Sequence, residues 1–180
     1  MKKCPVCELN WINDDEELCS VCAGTANVHN HRTPTKAEIK AAFEKLEDLE
    51  GKVYEVDTHA TFLNTVFGTT YDGWMTSTWS YSDNIIVWMV RIDGKRHGDW
   101  IDCFVGKDII EEEIKEKYVG KSGLHNGKVV DVPDEDYRIV ACVREDSQRT
   151  YSILGLYKLD REKSVPYDRY YRKVKSSPTL

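Results

Sequence analysis

Long apolar runs and excess positive charge are both missing from this chain. No stretch approaches the roughly 18 consecutive apolar residues that a membrane-spanning helix needs. Met1-Lys2-Lys3 runs into Cys4-Pro5 with no apolar signal core behind it. The expectation is therefore a cytoplasmic protein that does not enter a membrane. Lys and Arg number 25 against 31 Asp and Glu, a net charge of −6, which excludes a general basic coat for nucleic acid. Catalytic signatures are absent too. There is no HExxH, no GxSxG, no Gly-rich phosphate loop and no acidic pair followed by a spaced lysine. The expectation is a binding protein rather than an enzyme, with no catalytic residues assigned.

What is present suits a folded chain. Of its 180 residues 41% are hydrophobic and 31% charged, which argues against disorder. The charge is unevenly spread: residues 1–32 carry a net −2, residues 144–175 a net +4, and the middle −8. A basic end on an acidic body permits a local phosphate contact without a global basic field.

Four of the six cysteines form two pairs, Cys4-Pro5-Val6-Cys7 and Cys19-Ser20-Val21-Cys22, with eleven residues between them. Each CxxC places two sulfurs on one side of a tight turn, and two such turns supply the four corners of a zinc tetrahedron. Four thiolates leave no open position, so the expected Zn2+ is structural. In a reducing compartment this outweighs the alternative of two disulfides. Asn13-Asp14-Asp15 reads as a turn between the pairs, with Trp11, Ile12 and Leu18 covering the metal. His29 and His31 read as loop residues, and Cys103 and Cys142 as buried core thiols. The segment resembles the short zinc ribbons of many bacterial proteins, although Glu8 and Ala23 stand where glycine often follows each pair. The expected organisation is a zinc ribbon over 1–26, a linker over 27–34 and an α+β domain over 35–180.

Thr35-Lys36-Ala37-Glu38 is a capping box, followed by Ile39, Ala42, Phe43, Leu46 and Leu49 at helical spacing. A second helix is expected from Thr58 to Phe67, stopped by Gly68. Asn84–Asp93 and Trp100–Val105 read as a hairpin, Lys107–Tyr118 as a charged amphipathic helix, and 120–133 as a loop. Tyr137–Arg144 and Thr150–Leu159 read as a second hairpin, and Tyr167–Val174 as a last strand. The fold class is α+β: the small ribbon, a helical segment, then a mainly antiparallel curved sheet.

Two regions suggest a ligand. Trp74, Trp79 and Tyr81 sit among hydroxyls in Gly73–Ser82, where rings can stack on a flat ligand and hydroxyls can bond its edges. The alternative is sheet packing. Near the C-terminus Arg149, Lys158, Arg169, Arg172 and Lys173 interleave with tyrosines, as on a phosphate-and-base surface; the alternative is a solvated edge strand. His97 and Asp99 share one strand face, with Trp100 and Asp102 on the other, but no third catalytic group joins them.

The segments Tyr151–Leu159 and Arg169–Val174 look like closing strands of the modified-base reader (PUA/SRA-like) domains of bacterial restriction systems. That resemblance implies a barrel-like sheet and an aromatic pocket for a flipped base. The expected function is zinc-ribbon nucleic-acid binding, with DNA preferred over RNA, as a reader in a phage-defence or mobile-element system. The alternative is a protein-interaction module or inhibitor whose acidic surface mimics nucleic acid.

Overall fold

The structure is a computed structural model and describes residues 1–5, 11–15, 17, 33–105, 113–125 and 128–175. The chain divides into two units, Met1–Asn30 and His31–Leu180.

In the first unit, β1 (Lys2–Lys3) and β2 (Trp11–Ile12) pair antiparallel, Lys2 opposite Ile12 and Lys3 opposite Trp11. Cys4 follows β1 and is fully buried, as is Ile12 nearly so. Trp11 is turned outward: it is 61% exposed, with the Lys3 ammonium 5.7 Å from its ring centre. The expected zinc ligands Cys7, Cys19 and Cys22, together with Leu18, His29 and His31, lie outside the described residues.

The second unit opens with α1 (Lys36–Glu47). Thr35 Oγ1 accepts from the Glu38 backbone N–H at 3.1 Å, and the Glu38 carboxylate accepts from the Thr35 N–H at 2.7 Å, which completes the capping box. Ile39, Ala42 and Leu46, on one face, are buried. After β3 (Val53–Glu55), α2 (His59–Phe67) starts on Thr58, whose side chain accepts from the Thr61 N–H, and ends on Gly68 at φ 69°. A left-handed C-terminal residue of this kind favours glycine.

The strands that follow are β4 (Thr78–Ser80), β5 (Ile85–Val90), β6 (Arg96–His97), β7 (Trp100–Phe104), β8 (Glu113–Tyr118), β9 (Leu124–His125), β10 (Lys128–Val129), β11 (Tyr137–Glu145), β12 (Arg149–Leu159) and β13 (Asp168–Lys173). Among the described residues, nine strands form one sheet in the order β4-β5-β11-β12-β13-β8-β7-β6, with β3 added beside β12; β9 and β10 pair separately. All its pairings are antiparallel except β5 with β11.

Two sequence expectations are corrected here. Glu113–Tyr118 is a strand, not the end of a helix from Lys107; residues 107–112 lie outside the described residues. Ile114 and Tyr118 pack inward at period two, together with Glu116, while Lys115 and Lys117 face the other way. The expected hairpin of Asn84–Asp93 with Trp100–Val105 also does not form. β5 lies between β4 and β11, and β7 pairs with β6 and β8. Every residue of β5 is buried, as a central strand with a parallel neighbour requires.

The sheet is covered on both faces. On one, α1 and α2 pack over Ile85, Val87, Met89, Ile139, Ala141 and Ile153. The other carries Trp88, Val90, Val140, Cys142, Tyr157 and Tyr171. A bulge between β11 and β12 shifts the register at Val140/Ala141, and opposite it Gly155 adopts φ 131°. The extra residue switches the faces of β12: Tyr151 and Ile153 face the helices before it, and Leu156 does so after it. β3 pairs with the first part of β12, and β13 with the last part on the far side of the bulge. At ~4.8 Å per strand, β11 and β8 would stand about 14 Å apart in a flat sheet. Arg138 of β11 nevertheless donates to Glu116 of β8 at 3.0 Å, so the sheet curls over this second face.

Candidate functional site

The concave face encloses a set of charges. Asp102 and Arg138 are each 5% exposed, Glu116 6% and Asp136 4%. Such groups are rarely buried unless paired. Arg138 accounts for much of the set. Its Nε donates to Asp136 Oδ2 at 2.9 Å and its Nη1 to Glu116 Oε2 at 3.0 Å. Its guanidinium carbon lies 4.5 Å from the centre of the Trp88 ring and 4.4 Å from that of Tyr171. The Tyr171 hydroxyl donates to Asp136 Oδ2 at 2.7 Å. Burial works against the Arg138 charge, but the Asp136 and Glu116 carboxylates outweigh it and hold its pKa well above the ordinary value. Burial drives the Tyr171 hydroxyl well up.

Three of the polar atoms buried without a hydrogen-bond partner lie in one cross-strand row. Asp102 of β7 stands opposite Glu116 of β8, and Glu116 opposite Arg169 of β13. Among the described residues Asp102 Oδ1, Glu116 Oε1 and Arg169 Nε are buried without a hydrogen-bond partner. Arg169 Nη1 is 3.6 Å from Glu116 Oε1, beyond hydrogen-bond reach, and its Nη2 donates to the Asp131 carbonyl at 2.6 Å. Burial, and then the Glu116 charge, push the Asp102 carboxyl up to about 8. Trp100 lies two residues before Asp102 on the same face, half-buried, with the Arg169 guanidinium 5.4 Å from its ring centre. Tyr118 and His125 meet Trp100 edge-on at 5.2 and 5.3 Å, and Tyr167, half exposed, stacks on Tyr118 at 5.5 Å. An aromatic rim therefore flanks a row holding two buried acceptors and one buried donor.

The residues singled out in the sequence are dispersed. Trp74, Trp79 and Tyr81 gather on the helix side of the sheet with Phe67 and Tyr71, half-buried. The Trp74 indole donates to the Thr78 carbonyl and that of Trp79 to the Tyr71 hydroxyl, each at 3.0 Å. Trp79 and Tyr81 contact Phe67 at 5.3 and 5.8 Å. Asn64 fixes this loop, accepting from the Tyr71 N–H and donating to its carbonyl, both at 2.9 Å. Burial raises the Tyr81 hydroxyl pKa.

Each of the five cations meets a carboxylate. Arg149 pairs with Glu145 at 3.1 Å, Lys158 with Glu135 at 3.9 Å and Arg172 with Asp160 at 3.8 Å; Lys173 pairs with Glu50, and Arg169 faces Glu116. Arg172, with 64% of its side chain exposed, is the most open of the five. His97 does not converge with Asp99. Its Nε2 lies 3.0 Å from Asp93, while Asp99 lies 3.6 Å from His125. Cys142 is buried as expected, but Cys103 is only half-buried, on the outer face of β7.

Sequence reasoning placed Trp100 and Asp102 on a common face but attached no role to them, and it missed Glu116 and Arg138. The available signal was weak: an acidic residue flanked by Ile114 and Tyr118 at period two.

No family model matches the chain, and no curated protein matches it. Among solved structures, the chain is similar to the 5-hydroxymethylcytosine-specific restriction enzyme AbaSI, with a TM-score of 0.48 and 20% identity over 87% of this chain and 49% of that one. The chain thus spans about half the length of that enzyme's chain. No helix among the described residues is long and apolar enough to cross a membrane.

Proposed function

We propose that the second unit is a DNA reader that takes a single unstacked nucleobase onto its concave face. One observation carries this reading: the Arg169–Glu116–Asp102 row, where two buried acceptors and a buried donor lack partners beside the half-buried Trp100 ring. Leaving such groups unmatched costs about 1–3 kcal/mol each, and a base edge offers donors and acceptors in one plane. The exposed parts of Trp100 and Tyr167, which sandwich the buried Tyr118, supply stacking surface. Arg172 and Lys158, the more exposed cations, alternate with Tyr171 and Tyr157 and face away from the concave side, where, with the exposed ring portions of Trp74, Trp79 and Tyr81, they offer a second surface to flanking phosphates and bases. In this reading Cys4, Cys7, Cys19 and Cys22 hold a structural Zn2+ in the first unit; the full burial of Cys4 beside a two-residue strand fits a ligand position.

The test is a salt-titrated binding assay of the full chain against single-stranded, duplex and base-modified DNA, with RNA alongside. Binding should fall steeply with salt, prefer DNA and weaken at least tenfold in Trp100→Ala. Arg172→Ala should weaken binding to all sequences alike and flatten the salt slope by about one. Absence of binding at low salt would refute the reading. The pairing of all five cations with carboxylates favours the second reading, a protein partner, and a binding surface free of nucleic-acid affinity would point there.

A further inference from the structure

The unpaired row contains a mismatch in its own charges. Facing Asp102 are Glu116 of β8, Arg138 of β11 with Asp136 just ahead of that strand, Arg169 of β13, and Asp93 in the turn after β5. Arg138 spends its hydrogen bonds on Asp136 and on Glu116 Oε2. Arg169 stands beyond hydrogen-bond distance of Glu116. Asp93 is engaged by His97. Arg138 acts on Asp102 only through its charge, and Asp102 and Glu116 are direct cross-strand neighbours, each with one buried oxygen lacking a hydrogen-bond partner. One proton held by the pair removes the repulsion between two buried carboxylates side by side, and its hydroxyl turns to the base when one is bound.

We propose that Asp102 and Glu116 share one proton at neutral pH, and that this proton makes Asp102 the specificity-determining residue, selecting a base edge that carries an amino group beside an unprotonated ring nitrogen. The inference rests on the nucleobase reading above. A neutral carboxylic acid donates through its hydroxyl and accepts through its carbonyl, which matches the amino and ring-nitrogen edge of adenine or cytosine. Two ionised carboxylates only accept, which matches the two adjacent N–H groups of guanine. The weak acidity that burial gives Asp102 agrees with the proton residing there.

The experiment has two arms on the full chain. In the first, the side-chain carboxyl carbons are followed by 13C NMR from pH 4 to 9, with Asp102 assigned through Asp102→Asn. An Asp102 titration at or above pH 7 is expected; a titration below pH 6 overturns the shared proton. In the second, binding to single-stranded dA, dC and dG oligomers of equal length is measured from pH 6.5 to 9 at constant ionic strength. Affinity for dA and dC should fall about tenfold per pH unit above the titration, while affinity for dG rises. Asp102→Asn, a neutral donor and acceptor at every pH, should keep dA and dC binding and abolish the slope. Binding without a pH slope overturns this inference while leaving the reader intact. Absence of binding to any oligomer at any pH overturns the reader, and this inference with it.

Discussion

Replacing Arg138 by methionine isolates the group on which the concave face is built. Methionine keeps much of the stem that packs beneath Trp88 and Tyr171, so the change removes charge and hydrogen bonds more than volume. What stays behind is Glu116 and Asp136, 6% and 4% exposed, with their shared cation gone. Breaking a buried pair by removing one partner costs about 3–5 kcal/mol. The contacts of the guanidinium with the Trp88 and Tyr171 rings add to this, since desolvated cation–π contacts reach about 2 kcal/mol. The total should be about 4 kcal/mol or slightly more, a drop of roughly 8–16 °C in melting temperature for a unit of this size. The loss has a pH signature. Without Arg138 the two carboxylates prefer to be protonated in the folded state, so the deficit relative to the parent should be largest at pH 8 and shrink toward pH 5. Calorimetry and urea titrations of both proteins at the two pH values test this. A deficit below about 1 kcal/mol, or one equal at both, would falsify the claim that Arg138 neutralises these carboxylates.

Three further outcomes are expected. Asp102 has a folded pKa of about 8, raised above its ordinary value, so the stability it contributes is complete below the unfolded pKa near 4 and is lost as pH rises through about 8. The parent should lose about 1.4 kcal/mol per pH unit from this group within that window, and Asp102→Asn should show a flatter profile by urea midpoint; equal slopes would sink the assignment. Gly155→Ala places a Cβ 3.0 Å from Lys173 Cε at φ 131° and should cost at least about 1 kcal/mol, read as a lower midpoint with an unchanged m-value; an unaltered midpoint would mean that the bulge tolerates a side chain. Elemental analysis of the reduced protein should give one zinc per chain, released together by chelator and lost in Cys19→Ser; a metal-free protein would return the four cysteines to the disulfide alternative.

The local signals in the sequence were reliable. The capping box at Thr35, the Gly68 stop and the β11–β12 hairpin each depend on a few neighbouring residues, and all appear in the structure. What was not legible depends on distant partners. Glu113–Tyr118 carries the Lys and Glu of a helix surface, and only the curl of the sheet makes Glu116 an inward residue by supplying Arg138 from β11. The expected partner of β5 differs because the turn at Asp93–Lys95 is sound locally but leads into β6, which pairs with β7 across residues 98–99. Yet the uninterrupted apolar run from Ile85 to Val90 already marked a strand buried on both faces. For the site, residue type misled. The basic and aromatic residues that look like binding groups are engaged with one another or with carboxylates, whereas an acid in a plain strand, Asp102, has a buried oxygen, Oδ1, with no hydrogen-bond partner.

The position of β13 sets the order in which the molecule can assemble. Among the described residues, β6, β7 and β8 join the rest of the sheet by strand pairing only through β13, which lies between β8 and β12. It is also the latest of these strands in sequence. The β6–β8 arm can form early from local contacts, but it has no strand of the main sheet to pair with until residues 168–173 are available. Until then Asp102 and Glu116 stay in water, where their charges are harmless, and Arg138 keeps its hydration. Desolvation of the whole charge set is deferred to one late, long-range event, of the sort that slows folding through loop-closure entropy. During synthesis on the ribosome, the helix-covered half would fold first, and the concave face would form last and all at once.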